Sequence, residues 1–118
     1  MIDVAKDFSP YPSGRVDADS DKNGTRFRNE HLIPALKRVL APGSLDTELV
    51  VDIDGVRSFG SSFLEEAFGG VIRAGGFNGE SVVKAVRIQC SKPNLVIFRD
   101  AILSYLDDAL VEWRQNKA

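Results

Sequence analysis

The sequence predicts a single small α/β domain, an about four-stranded mixed sheet packed by three main helices. Three observations predict it. A largely apolar and β-branched run from Leu49 to Ile53 is followed within a few residues by a helical stripe. A second strand-like run, Val82 to Cys90, comes after that helix, and helical connections between apolar strands imply βαβ units with largely parallel pairing. Two further helical stripes, one ending at Ala41-Pro42-Gly43 and one starting at Pro93, supply the covering layer. At 118 residues the chain can build a core without metal or disulfide support.

In chain order, Met1 to Phe8 alternates apolar Ile2 and Val4 with polar neighbours and is expected to supply an edge strand. Ser9 to Gly14 is turn-rich, and Arg15-Val16 could pair back as a brief second strand. The next loop carries Asp19, Asp21, Asn23, Gly24 and Glu30 at EF-hand spacing: alternate oxygen ligands, a sixth-position glycine and a twelfth-position glutamate. The turn residues from Pro10 to Gly14 leave no room for the entering helix, and there is no second loop to pair with. A solvated turn that starts the next helix is therefore expected, with no metal site. Asn23 or Thr25 caps that helix, whose apolar positions run Phe27, Leu32, Ile33, Leu36, Val39 and Leu40, and Pro34 must kink or restart it. The single histidine, His31, has no second histidine or nearby cysteine to complete a ligand set, so it reads as a surface or capping residue.

The stretch from Leu49 to Arg73 organises the rest. Leu49 to Ile53 suits a central strand covered on both faces. Gly55 and Gly60 bracket a turn, and Ser62 with Glu65 three residues on forms a capping box that opens a helix. Phe63, Leu64, Ala67, Phe68, Val71 and Ile72 make its core stripe, leaving Glu65, Glu66, Gly69, Gly70 and Arg73 for the other face. Glycines inside a helix each cost about 1 kcal/mol relative to alanine, so Gly69 and Gly70 point to a close approach there. The approaching group is either the domain's own first or last helix or a partner docking between Glu66 and Arg73. Gly75 to Gly79 is then a loop, and Cys90 at a strand end reads as a buried, inert thiol. From Pro93, the positions Leu95, Phe98, Ile102, Leu106, Ala109, Leu110 and Trp113 sustain a last helix, with Ser91 placed to cap it.

Composition narrows the function classes. Apolar residues at 43% and charged residues at 27% are ordinary for a soluble domain, and a net charge of −2 gives no footprint for nucleic acid. No apolar run is long enough to span a membrane and no signal peptide is evident, so a cytoplasmic location is expected.

The pairs Gly14-Arg15 and Phe27-Arg28, with Leu32-Ile33-Pro34-Ala35-Leu36, Val51-Asp52-Ile53-Asp54-Gly55 and the run Gly60 to Gly70, resemble the motifs of STAS-like domains of unknown function. These are divergent relatives of the STAS domains of bacterial anti-sigma-factor antagonists. The resemblance implies a regulatory, non-enzymatic protein-binding module without a cofactor, and a partner of the GHKL-type ATPase or kinase class. It also places the antagonists' phosphorylated serine at Ser61, although the residue before it is Gly60 here and typically Asp there. The partner surface is then expected to comprise Ser58, Ser61, Ser62, Glu65, Glu66, Gly69, Gly70 and Arg73. Two readings compete. Val51 to Val56 looks like the strand-end Asp-x-Asp-Gly motif of haloacid-dehalogenase-type phosphatases, with Asp52 and Asp54 on one side of the strand, but the later lysine and distal acidic strand end of that machinery are missing. A nucleotide- or small-ligand-binding sensor is the other.

Overall fold

A computed structural model describes residues 1–117. The fold is the expected small α/β domain, with three strands instead of four and five helices instead of three. The elements are β1 (Ile2–Asp3), α1 (Val4–Asp7), α2 (24–39), β2 (Leu49–Asp52), α3 (61–74), α4 (Gly79–Ala85), β3 (Val86–Gln89) and α5 (Val96–Lys117), the last entered through a 3₁₀ turn, Pro93–Leu95. The sheet runs β1-β2-β3 in chain order, and both pairings are parallel, with Ile2 opposite Val51 and Leu49 opposite Val86. The mixed pairing expected from the sequence is not found among the described residues. No described helix is long and apolar enough to cross a membrane.

The structure departs from the sequence expectation in three further segments. Only Ile2–Asp3 of the Met1 to Phe8 segment is strand, because the Asp3 side chain caps the Lys6 amide at 3.2 Å and turns the chain into α1. Arg15-Val16 forms no strand: the Gly14 and Arg15 carbonyls accept from Gly24 and Thr25 at the start of α2. Val82 to Ala85 is helical, since Asn78 caps the Ser81 amide at 3.1 Å and starts α4 before β3 can begin. The β-branched pair Val82-Val83 follows this local cap over its own propensity.

In β2, Leu49 and Val51 are buried while Val50 and Asp52 are half-buried, and in β3 Arg87 and Gln89 are exposed. The sheet is therefore packed fully on one face, not both. On that face the core gathers around Phe27, which is fully buried with ring centroids 5.2 Å from Phe8, 5.6 Å from Phe63 and 6.1 Å from Phe68. Each such aromatic contact adds about 0.5–1.5 kcal/mol to the burial itself.

Both central helices widen into a π-turn, at Arg28–Leu32 in α2 and at Glu65–Gly69 in α3. In α2 the cause is Pro34, which has no N–H to give. The Ile33 amide reaches back five residues to the Arg28 carbonyl and the helix passes the proline unbroken. Asn23, fully buried, caps the helix by accepting from the Arg26 amide at 3.0 Å.

α2 and α3 meet at Gly24. A methyl group there would lie 2.8 Å from both the Phe63 carbonyl oxygen and Glu66 Cβ. The helices cannot keep this approach with a larger residue. Gly24→Ala is expected to lower unfolding stability by about 1–3 kcal/mol, measured by urea titration, even though alanine favours a helix. A variant as stable as the parent would show that the two helices separate without cost.

Candidate functional site

The turn between β2 and α3 is fixed from the N-terminal loop: Arg57 N–H donates to the Pro10 carbonyl at 2.8 Å and Gly60 N–H to that of Pro12 at 3.0 Å. Val56 and Phe59 point into the core, while Arg57 and Ser58 are exposed. The helix then starts two residues earlier than expected. Gly60 is the extended N-cap residue and provides no side-chain cap, Ser61 is the first helical residue and exposed, and Ser62 is the second and half-buried. The expected capping box is thus not formed, because Ser62 already lies inside the helix and the Glu65 carboxylate is turned towards two arginines.

Those arginines belong to a five-member charge network. Arg15 Nη1 contacts Glu65 Oε1 at 2.7 Å and Glu66 Oε1 at 3.4 Å. Arg73 holds Glu65 with two nitrogens, Nη1 at 2.6 Å from Oε2 and Nη2 at 3.1 Å from Oε1. Arg28, only 12% exposed, places Nη1 2.6 Å from Glu66 Oε2 and 3.3 Å from the Glu66 carbonyl. That carbonyl is open to a side chain because, in the π-turn, the Gly70 amide is shared between the carbonyls of Ala67 and Glu65 and passes over that of Glu66. The Glu65 carboxyl is held below its usual range chiefly by the hydrogen bond from Arg73, and by Arg15 after it.

The same π-turn explains how residues eight apart can pair. In a straight α-helix Glu65 and Arg73 would be turned about 80° from each other. The extra residue in the wide turn brings them into line, and their ion pair lies across Gly69, where a methyl group would sit 2.6 Å from Glu65 Oε2 and 2.9 Å from Arg73 Nη1. Gly70 lies under Arg28, with the corresponding distance to Nη1 also 2.6 Å. Both glycines are buried, so the close approach they allow is made within the domain, by α2's Arg28 over Gly70 and by the helix's own ion pair over Gly69.

Among the predicted surface residues, the structure therefore brings Glu65, Glu66 and Arg73 together, with Ser61 one helical turn before Glu65. Sequence reasoning missed Arg15 and Arg28 as site residues. The Gly-Arg and Phe-Arg pairs were the signal, but nothing local says that residues 50 and 38 positions away receive them.

Asp52 and Asp54 are both engaged. Asp52 accepts the Asp54 amide at 2.9 Å and Gln89 Nε2 at 3.5 Å. Asp54 binds the Ser91 amide at 2.7 Å, the Ser91 hydroxyl at 2.8 Å and the Lys92 amide at 3.3 Å, which ties the end of β2 to the start of the last helix. Ser91 is therefore a brace, not the expected cap of α5. In the EF-hand-like loop, Asp19 accepts from the Arg15 amide at 2.9 Å and the buried Asn23 donates to Asp17 at 2.7 Å. Residues 10–23 contain no helix, and no three described His, Cys, Asp or Glu side chains converge as a metal would need. His31 is half-buried against the rings of Phe27 and Phe8, both at 5.6 Å. Cys90 is half-buried, with its thiol towards the Lys92 carbonyl at 3.6 Å.

Two outcomes are expected. Gly69→Ala meets only the far ends of two side chains, Glu65 Oε2 and Arg73 Nη1, so stability should stay level or rise by up to about 1 kcal/mol. Gly70→Ala lifts Arg28 from a partly buried glutamate and should lower it by about 1–3 kcal/mol. Unfolding titrations giving the reverse order would refute the assigned packing. For Asp54, hydrogen bonds from Ser91 first, then Lys92, depress the carboxyl below the ordinary value of 3.8. Its stabilisation is thus full above the unfolded-chain value and fades as pH falls through the lower folded value. The stability gap between wild type and Asp54→Asn, followed by thermal melts from pH 7 down to about pH 2, should close only below about pH 4.

The family model described as a STAS-like domain of unknown function (DUF4325) matches residues 23–89. The matched span holds α2, β2, α3, α4 and β3 and every member of the charge network except Arg15. No curated protein and no solved structure matches the chain. With more than half of its length matched, the chain belongs to the family of STAS-like domains of unknown function.

Proposed function

We propose that this domain is a cytoplasmic, non-enzymatic regulatory module that binds a protein partner through the outer face of α3. Ser61 is its switch, a serine phosphorylated by a kinase, and the partner is a GHKL-type ATPase or kinase. The observation that carries this reading is the position of Ser61, an exposed hydroxyl on the uncapped first turn of α3, one turn from a dense charge network. The reading surface comprises Ser58, Ser61, Ser62, Glu65, Glu66 and Arg73, with Gly69 and Gly70 beneath it.

The chemistry is straightforward. A kinase transfers the γ-phosphoryl group of ATP to the Ser61 hydroxyl oxygen, the hydroxyl proton leaves and ADP departs. The product carries a charge of about −1.5 to −2 at neutral pH and three strong acceptor oxygens. The amides of the first helical turn have no partner inside the helix and favour that charge, while the surface a partner meets changes sign locally.

Capture from the native host, with mass spectrometry of both the partner and Ser61, identifies the pair. Ser61→Asp should then fold as stably as the wild type and bind that partner at least about tenfold more weakly, a loss of about 1.4 kcal/mol. A Ser61→Asp variant that binds like the wild type would remove Ser61 from the switch.

A further inference from the structure

The structure assigns to Arg15 the role of receiver for the Ser61 phosphate: on modification its guanidinium leaves Glu65 and pairs with the phosphoryl oxygens. This rests on Ser61 being the switch residue, and it names the contact through which the switch acts.

The network contains three arginines and two glutamates, so it holds one cation more than its anions require. Arg15 is that cation. Glu65 keeps Arg73, bound through two nitrogens, and Glu66 keeps Arg28, so neither carboxylate is left alone when Arg15 departs. Arg15 itself uses only Nη1; Nε and Nη2 make no hydrogen bond among the described residues, and its side chain is 44% exposed. Arg28, by contrast, is only 12% exposed and bound to a main-chain carbonyl, so it cannot leave without cost.

The backbone of Arg15 is held at both its amide and its carbonyl, and the segment before it packs on Gly60, the neighbour of Ser61. The Arg15 amide donates to Asp19 Oδ2 at 2.9 Å, and its carbonyl accepts from the Thr25 amide at 3.0 Å and the Thr25 hydroxyl at 2.7 Å. The preceding Ser13-Gly14 segment packs on Gly60, where a methyl group would meet Ser13 Cα at 3.3 Å. Ser61 and Glu65 are four residues apart on the helix, which puts their Cβ atoms about 5–6 Å from each other. An Arg15 that already reaches the Glu65 carboxylate therefore needs a change of side-chain torsion, not of backbone, to meet a phosphate one turn away. The driving force is local: a phosphate next to Glu65 repels it, and a bidentate arginine contact relieves that repulsion.

The test uses the full chain with phosphoserine installed at position 61 during translation, so it does not depend on finding the kinase or the partner. Phosphorus NMR follows the second ionisation of the phosphoserine. In the Arg15 chain this should lie below the ordinary value of about 6, and in Arg15→Gln it should rise by about one pH unit, while Arg15→Lys recovers part of the difference. Independently of any variant, the Arg15 Nε–H resonance should shift and slow its exchange as the phosphate is titrated. A phosphate whose ionisation is the same in Arg15→Gln, with an Arg15 resonance that ignores the titration, would overturn the assignment. That result would leave the Ser61 switch itself standing, which only the native-host capture and the Ser61→Asp affinity decide.

Discussion

The close approach of α2 and α3 at Gly24 sets the register in which these two helices present their charged groups on the outer face. With the Phe63 carbonyl and Glu66 Cβ both within 2.8 Å of where a Gly24 methyl group would lie, the two helices have one register. One turn further on, Phe27 enters the ring cluster of Phe8, Phe63 and Phe68 and is fully buried. The next residue, Arg28, lies over the rim of that cluster and meets Glu66. The direction of Arg28 is thus decided in the core. A protein interior packed as tightly as a crystal transmits that decision to the surface without slack.

The π-turns are the second consequence. A wide turn has poorer hydrogen-bond geometry than α-helix and persists where something holds it. In α2 the missing N–H of Pro34 is sufficient reason. α3 has no proline, and its turn is held from outside by Arg28, which occupies the Glu66 carbonyl. Gly69 and Gly70 leave the space this requires, and the added residue aligns Glu65 with Arg73. A helix of uniform α geometry would scatter these charges around its circumference.

Much of the fold was legible because long elements have long periods. The stripes from Phe27 to Leu40, Phe63 to Ile72 and Leu95 to Trp113 are repeated often enough to outvote local noise, and Leu49 to Ile53 is largely apolar, with β-branched Val50, Val51 and Ile53. The elements that were misread are all short. α1 and α4 have one or two turns, and each exists because a single side chain, Asp3 or Asn78, satisfies an amide that a strand would have left to a neighbour. The site was legible only in halves. The face of α3 could be read from its own periodicity, whereas Arg15 and Arg28 reach it across 50 and 38 residues of chain. Nothing in the neighbourhood of either arginine carries that information; it lies in the register fixed at Gly24.

The energetics separate what holds the domain together from what its surface is arranged for. Exposed ion pairs contribute about 0–1 kcal/mol each, so the outer pairs of Arg15 and Arg73 add little to folding beside a core of buried phenylalanines. Their geometry is nevertheless tightly specified: Arg15 is bound at both its amide and its carbonyl, and Arg73 by two nitrogens to one carboxylate. Fixing a long side chain costs rotamer entropy that a weak pair barely returns. Order of this kind on a surface is better explained by the charge pattern it displays than by the stability it adds. That pattern is a pair of carboxylates ringed by three guanidinium groups, one of them in excess, beside an exposed hydroxyl at the start of the helix that carries them.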